Sequence, residues 1–396
     1  MLRRTVFFAF LLPLPLTAQP VNDGAPNVPG LTPAFAAQTE APEQRSGFEV
    51  QITEIASGLE QPWGIAVLPG GAGYLVTERG GDLRHVARDG TVSAPLSGVP
   101  RVQSMRQGGL LDVEIAPDFA QSRTMYLSFS QPLGGMRAVT TAISAQLSED
   151  LTGITNVAQI FEQTPPSRVP VHFGSRIVPL PDGTIAVTTG DRGTRENALL
   201  AQDISTTYGV VARVTPAGAP APGNPFIDTD GARPEIWSHG HRNIQGAAVH
   251  PDTGALWTIE HGPAGGDELN VIQLGGNYGW PIASYGENYN GTPVSDGRAA
   301  HAPDFIEPRY YWDPVIAPGG MVFYEGEMFP EWRGDLLIGG LVAQAVVRLD
   351  LDGDTVVGEE RLADGINRVR DVAIDDDGSI LFITGSNPGE VMRLSR

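Results

Sequence analysis

The sequence predicts an all-β protein with the architecture of a six-bladed β-propeller. Glycine (49 residues) and proline (33 residues) are abundant in the 396-residue chain, and convincing helical periodicity is rare. Short apolar strands alternate instead with turns of the Pro-Asp-Gly type. One such unit recurs six times, which favours a propeller. A pair of packed β-sheets is the alternative, but a sandwich would not repeat one signature six times.

The repeated unit is an apolar strand, a turn with Pro or Asp/Gly, and a second apolar strand. Its copies begin at Gly64, Asp112, Arg176, Gly246, Gly320 and Asp371. The start points are separated by 48, 64, 70, 74 and 51 residues, so long insertions are expected between blades. Such loops commonly build the active face of a rigid scaffold. Because blades share a central channel, residues 47–396 are predicted to form one catalytic propeller domain.

The N-terminal region carries the features of an export signal. Arg3 and Arg4 precede the apolar run VFFAFLLPLPL, so residues 1–18 are predicted to be a secretory signal peptide. The run is too short to cross a membrane, and no stable membrane span is expected elsewhere. Residues 19–46 are rich in Pro, Ala and Gln and are predicted to be a flexible leader or linker. The mature protein is therefore expected to be periplasmic or secreted.

Composition excludes several kinds of chemistry. The absence of cysteine excludes disulfides, thiolate metal sites, iron–sulfur ligation and CxxCH haem attachment. All 26 basic residues are arginine, so no lysine is available for a pyridoxal phosphate Schiff base. A formal net charge of −20 disfavours nucleic acid and anionic membranes as partners.

Polar residues are concentrated between Trp237 and Pro281, in the motifs GHRNIQG, EHGPAGGDELN and GGNYGWP. They fall where the apolar strands end, as in a site on a β scaffold. Arg242 and Asn243 offer a donor fork and an amide that suit a carboxylate or a quinone oxygen. A salt bridge between blades is the alternative for them. Glu260, Asp267 and Glu268 resemble the ligands of a calcium loop.

Candidate residues also lie outside that stretch. His172, in RVPVHFGSRIVPLPDG, could be a general base near pH 7, or a hydrogen-bonded structural histidine. Gln107, in RQGGLLDVEIAP, carries an amide that both donates and accepts, although this segment could be a simple turn. Arg368 and Arg370 share one face of a strand and could clamp a polyanion, or form a solvated strand end.

Together these motifs resemble the soluble PQQ-dependent sugar dehydrogenases, the glucose and aldose sugar dehydrogenase family, from about Gly58 to the C-terminus. The resemblance implies calcium-dependent oxidation of an aldose at C1 to the lactone. His172 would take the proton of the C1 hydroxyl, and hydride would pass to the quinone of PQQ. Electrons would then leave to a separate acceptor, a quinone or a cytochrome, because this chain has no haem site.

The resemblance also implies ligands for both cofactors. The residues that would contact PQQ are Gln107, Arg242, Asn243, Tyr289, Arg368 and Arg370. The carbonyls of Gly262 and Pro263 would hold the Ca²⁺ that bridges PQQ. Glu268 and the carbonyl of Tyr278 would hold a structural Ca²⁺.

The sequence departs from the family pattern at GGLVAQAVVRLD, where several relatives carry a lysine that contacts the cofactor. Val342 stands at about that position, so a backbone group or a water would replace the amine, or PQQ would bind less tightly. Two other function classes remain open. One is a calcium-dependent lactonase or other hydrolase, with side chains converging on a metal in the channel. The other is a non-catalytic binding propeller.

Overall fold

Six antiparallel β-sheets make up the computed structural model, which describes residues 19–22, 24–294 and 297–396. The predicted signal peptide, residues 1–18, lies outside the described residues. The N-terminal strand is β1 (Gln51–Leu59). The first three blades are built, in chain order, from β2 (Pro62–Leu68), β3 (Gly73–Glu78), β4 (Leu83–Val86); β5 (Leu110–Ile115), β6 (Thr124–Pro132), β7 (Ala138–Leu147), β8 (Ile154–Glu162); β9 (Gly174–Pro179), β10 (Ile185–Thr189), β11 (Val210–Val214) and β12 (Ile236–His239).

The second half of the ring has the same design. Blades four to six are built from β13 (Ile244–Val249), β14 (Leu256–Glu260), β15 (Asp267–Val271), β16 (Tyr310–Trp312); β17 (Pro318–Phe323), β18 (Leu336–Gly340), β19 (Ala345–Asp352), β20 (Thr355–Leu362); β21 (Val369–Ile374), β22 (Ile380–Thr384) and β23 (Gly389–Ser395). Short helical segments in the loops are α1 (Phe119–Ser122), α2 (Arg195–Ala198) and 3-10 turns at Pro69–Gly71, Leu199–Gln202 and Pro330–Trp332.

The first strands of the blades form a closed ring around a central channel. β2 contacts β5, and contacts continue through β9, β13, β17 and β21 back to β2. The ring is closed by β1, which pairs antiparallel with β23 from Gln51↔Ser395 to Leu59↔Gly389 and completes the sixth blade. The predicted six-bladed propeller is thereby confirmed, and the six repeats of the sequence are the first two strands of each blade.

Apolar side chains from neighbouring blades hold the ring together. Between blades four and five, for example, Trp257 and Ile259 of β14 pack with Ile338 of β18, and all three side chains are fully buried. Complete burial of side chains of this kind stabilises the fold by roughly 1.5–3 kcal/mol each. Strands buried on both faces explain why the repeats are continuous apolar runs rather than alternating ones.

A buried arginine joins the inner strands across the channel. Arg176 on β9 donates to Asp112 on β5 at 2.7 Å and contacts Asp371 on β21 at 3.0 Å. Its Nε donates to the carbonyl of Gln245 on β13 at 2.7 Å. Removing one member would leave an unpaired buried charge, which typically costs about 3–5 kcal/mol. The ion pairs join three blades, and the hydrogen bond to Gln245 joins a fourth.

The segment expected to be a flexible leader or linker lies against blades four and five. Gln38 is fully buried and donates to the carbonyl of Pro308 at 3.0 Å. The backbone amide of Ala41 donates to the hydroxyl of Tyr310 at 2.8 Å, and that of Asn27 donates to the Asp313 carboxylate at 2.6 Å. These contacts place the segment on the propeller. Across residues 19–22, 24–294 and 297–396, no helix has the length and apolar character to cross a membrane.

Candidate active site

His172 is held from two sides at one end of the channel. It lies just before β9 with φ of 52°, a left-handed conformation that non-glycine residues rarely adopt. Its backbone amide donates to Oε1 of Gln107 at 2.8 Å. Its Nδ1 lies 2.6 Å from Oδ1 of Asp191. With Nδ1 committed to the carboxylate, Nε2 is the ring nitrogen left for a substrate.

Asp191, immediately beyond β10, is the partner that orients the imidazole. It is buried and also accepts from the amide of Gly193 and from Nε1 of Trp280, both at 2.7 Å. Burial alone would raise its pKa, but the charge and hydrogen bond of His172, the charge of Arg242 and the hydrogen bond from the Gly193 amide lower the pKa below its usual value. Asp191 is therefore a fixed negative charge behind the imidazole.

The same surroundings keep His172 in its neutral form. Burial lowers the pKa of His172, and the nearby charge of Arg242 lowers it further. The Asp191 carboxylate opposes this but does not reverse it. A neutral, oriented imidazole is the form that can accept a proton at pH 7.

Arg242 and Asn243 occupy the turn between β12 and β13. The amide of Arg242 donates to Oε2 of Glu260 at 2.5 Å, and its Nη1 donates to the carbonyl of His261 at 3.0 Å. Its Nε is buried, and no hydrogen-bond partner for it lies within residues 19–22, 24–294 and 297–396. Oδ1 of Asn243 accepts from the amide of Gly174 at 3.1 Å, which ties this turn to the start of β9.

A cavity of about 600 Å³ opens in front of His172, a size suited to a small organic ligand. Its wall includes four of the predicted residues, His172, Arg242, Pro263 and Tyr289. Tyr289 is 80% exposed and stands at the rim. Gln107, Asn243, Arg368 and Arg370 are not on this wall, although Gln107 and Asn243 support the residues that are.

Arg368 and Arg370 lie at the start of β21. Arg368 is exposed, whereas the Arg370 guanidinium stacks 4.9 Å from the centre of the Trp63 ring. Nη1 of Arg370 is buried and has no hydrogen-bond partner in the part of the chain that the structure describes. Burial, followed by the charges of Arg176 and Arg79, lowers the pKa of Arg370 to about 9, although the neighbouring Asp371 carboxylate opposes the shift. The side chain is a cation held in a desolvated position.

Three of the four predicted calcium residues line a second, much smaller cavity, whereas Pro263 lines the large one. Gly262, Glu268 and Tyr278 line it, together with Glu260 and His301. Burial and the nearby charge of Glu260 raise the pKa of Glu268 well above its usual value. Among the described residues, no group of three or more His, Cys, Asp or Glu side chains is arranged to hold a metal ion.

Asp267 has a different role from the one its motif suggests. Its oxygens accept from the amides of Gly262 at 2.9 Å and Ala317 at 2.7 Å, so both brace the loop. Burial raises the pKa of Asp267 to about 7. Of the three acidic residues of this motif, Glu260 and Glu268 are the two that line the small cavity.

Sequence reasoning missed Asp191 and Trp280, although signals for both were present. Asp191 lies just beyond the second strand of the third repeat, in TTGD. Glu260 lies at the corresponding strand end of the fourth repeat. Trp280 belongs to the GGNYGWP motif but was not assigned a role. In the structure its ring also lies 5.3 Å from the Arg242 guanidinium, so it connects the base and the cation.

Comparisons with known proteins identify the family of the chain. A family model described as "Glucose / Sorbosone dehydrogenase" matches residues 59–393. The curated aldose sugar dehydrogenase YliI of Escherichia coli (strain K12) is 41% identical over 347 residues, which are 87% of this chain and 93% of that protein.

Solved structures give the same result. The apo-form of the soluble aldose sugar dehydrogenase from Escherichia coli superposes with a TM-score of 0.83 at 41% identity, covering 88% of this chain and 99% of that one. The PQQ-bound form of aldose sugar dehydrogenase from Streptomyces coelicolor has a TM-score of 0.68 at 27% identity, covering 88% and 98%. The resemblance drawn from the sequence is confirmed, and with it the prediction of a sugar dehydrogenase: the chain belongs to the glucose/sorbosone dehydrogenase family.

Proposed function

We propose that this protein oxidises an aldose at C1 to the lactone, with PQQ as electron acceptor and Ca²⁺ as an essential ion. The observation that carries the proposal is the oriented, neutral His172 facing a cavity of about 600 Å³. Electrons would leave to a separate acceptor, a quinone or a cytochrome. The proposed site of action is outside the cytoplasm, in line with the signal features at Arg3 and Arg4.

The arginines of the site suit an anionic quinone cofactor. Nε of Arg242 and Nη1 of Arg370 are buried donors without partners among the residues that the structure describes, and each could bind a carboxylate or quinone oxygen. The PQQ-bound structure of the Streptomyces coelicolor relative supports this choice of cofactor. When bound, PQQ would supply a two-electron acceptor. Arg242, Asn243, Gln107, Tyr289, Arg368 and Arg370 are the side chains that we expect to hold it.

The small cavity suits a divalent cation. Glu260 and Glu268 bring two carboxylates into a buried space, where burial and the charge of Glu260 disfavour ionisation of Glu268. A hard cation would relieve that repulsion and would accept backbone carbonyls as further ligands. We expect Glu268 and the carbonyl of Tyr278 to hold one Ca²⁺, and the carbonyls of Gly262 and Pro263 to hold another that contacts the cofactor.

The chain's own part in the reaction is proton transfer. Nε2 of His172 would take the proton of the C1 hydroxyl while Asp191 keeps the proton on Nδ1 and stabilises the imidazolium that forms. Arg242 keeps a fixed positive charge on the same wall, where negative charge develops as electrons arrive. Trp280 fixes Asp191 through its Nε1 and shields it from water.

Reconstitution tests the proposal. The purified apo-protein should be inactive with a redox dye and should gain aldose oxidation when PQQ and Ca²⁺ are added together. Equal activity with NAD⁺ alone, or none with PQQ and Ca²⁺ across a broad aldose panel, would refute it. Lactone hydrolysis with Ca²⁺ alone would support the hydrolase instead. Two of the carboxylates that line the channel, Asp112 and Asp371, are both bound to Arg176 and are not free to hold a hydrolase metal.

A further inference from the structure

Three arginines lie near one another at the active-site end of the channel without carboxylate partners. Arg79, Arg368 and Arg370 form none of the salt bridges within residues 19–22, 24–294 and 297–396. The protein as a whole carries a formal charge of −20, so acidic partners are abundant elsewhere. A cluster of one sign in an oppositely charged protein indicates a site for an anion.

Arg79 is fixed between the first blade and the loop that carries Gln107. It follows β3 directly, and its backbone amide donates to the carbonyl of Gln61 at 3.2 Å. Its own carbonyl accepts from the amide of Leu110 at 3.3 Å. A Cβ on Gly109 would lie 2.2 Å from that carbonyl, so the close approach requires glycine. The backbone of Arg79 is thus anchored beside a residue that supports His172.

The side chain of Arg79 is only partly used by the protein. Its Nη2 donates to the carbonyl of Arg106, whereas its Nε is buried and has no hydrogen-bond partner among the described residues. Burial lowers the pKa of Arg79. The guanidinium therefore keeps donor capacity that a ligand could use.

Trp63 packs against Arg370 and lies on the strand that pairs beside Arg79. It follows Gln61 and Pro62 at the start of β2, where Pro62 pairs with Glu78, the residue before Arg79. The Trp63 ring packs 4.9 Å from the Arg370 guanidinium. The charge of Arg79 is among those that lower the pKa of Arg370, which places the two cations within reach of one another's fields. Arg176 also packs on Trp63, at 4.5 Å, but its charge is balanced by two aspartates.

We propose that Arg79 is a further cofactor-binding residue, which joins Arg368 and Arg370 in holding the carboxylates of PQQ and supplies the cation that this lysine-free chain lacks near Val342. The inference rests on the proposed function. PQQ carries three carboxylates, and three arginines without carboxylate partners match them in charge. Val342 itself is 54% exposed, and its amide donates to the carbonyl of Ile316, so its loop offers an apolar side chain there.

Equilibrium dialysis of PQQ against the Ca²⁺-loaded full chain tests this without measuring activity. Arg79→Gln should raise the dissociation constant of PQQ by about 10- to 150-fold, the value of one charge-assisted hydrogen bond. Arg79→Lys, which keeps the charge, should recover most of the affinity. Arg106→Gln is the matched control: it removes an equal charge from an exposed position on the neighbouring loop that carries Gln107, and it should leave the dissociation constant unchanged.

The outcomes separate the two proposals. If the wild-type protein shows no saturable PQQ binding with Ca²⁺, the proposed function fails. If the wild-type binds PQQ and Arg79→Gln binds it equally well, only the role of Arg79 is wrong. Equal losses in Arg79→Gln and Arg106→Gln would mean a general charge effect and would also overturn it. Thermal unfolding of the apo-proteins should show the same midpoint for Arg79→Lys and wild type. If Arg79→Lys folds but binds PQQ as weakly as Arg79→Gln, a role based on charge is contradicted.

Discussion

Asp191 offers the sharpest test of the catalytic arrangement, because it acts only through His172. Burial and the charges of Arg242 and Arg192 lower the pKa of His172. The Asp191 carboxylate raises this pKa by its charge and by the 2.6 Å hydrogen bond to Nδ1. The active form of the base is neutral, so kcat should fall as pH drops through a pKa that lies below the ordinary 6.5. Asp191→Asn removes an upward contribution, and the acid limb should therefore move to lower pH.

The size of the change follows from one hydrogen bond. A hydrogen bond to a charged group contributes roughly 1.5–3 kcal/mol, which corresponds to about 1–2 pH units in the acid limb. If the same stabilisation of the imidazolium is lost in the transition state, kcat on the plateau falls by about 10- to 150-fold. Dye-linked kcat at saturating sugar, PQQ and Ca²⁺ should be measured against pH.

A matched control lies in the same blade. Asp182, on the exposed turn after β9, pairs with Arg213 and has no contact with His172, so Asp182→Asn should keep the wild-type profile. An acid limb in Asp191→Asn that stays in place or moves to higher pH would refute the assignment of His172 as a base held by Asp191. So would an unchanged plateau.

Three further predictions follow from the same site. His172→Ala should lower kcat by about 10²–10⁴-fold while PQQ titration still saturates near the wild-type concentration; a change in PQQ affinity alone would make His172 a cofactor ligand. Arg370→Ala should do the reverse, with PQQ saturation shifted upward by about 10- to 150-fold and kcat recovering substantially at excess cofactor; an unchanged titration would make this arginine structural. Mass spectrometry of the protein from its native cell should find an N-terminus between about Gln19 and Glu43, whereas an intact Met1 in the soluble cytoplasmic fraction would contradict export.

The repeat pattern was enough to predict the fold, because the two inner strands of each blade keep a strong local signature. The apolar run, the tight turn and the second apolar run all depend on neighbours in sequence. The strand that closes the ring could not be found this way. β1 has mostly exposed residues, and its pairing with β23 joins opposite ends of the chain. The burial of Gln38 could not be predicted from the sequence either, because it depends on blades that begin hundreds of residues later.

The candidate site was predictable where residue chemistry is local and was missed where it depends on three-dimensional pairing. Arg242 was identified because a guanidinium beside an amide at a strand end is unusual in itself. Asp191 was missed because an Asp-Arg-Gly turn is ordinary, and its role appears only when Trp280, 89 residues later, donates to it. Asp267 belongs to a motif that resembles a metal loop, and only the structure shows that its oxygens accept hydrogen bonds from backbone amides.

The site also depends on closure of the whole ring, which couples cofactor binding to stability. Gln107, His172, Arg242 and Arg370 come from the second, third, fourth and sixth blades, and each stands at or near the first strand of its blade. The unpartnered arginines are costly to bring together while no anion is present. A cofactor that binds the closed ring and not the unfolded chain stabilises the ring by about 2.7 kcal/mol at a hundred times its dissociation constant. Ring closure and PQQ binding are therefore coupled in one equilibrium. Loss of the β1–β23 pairing should open the ring and weaken PQQ binding.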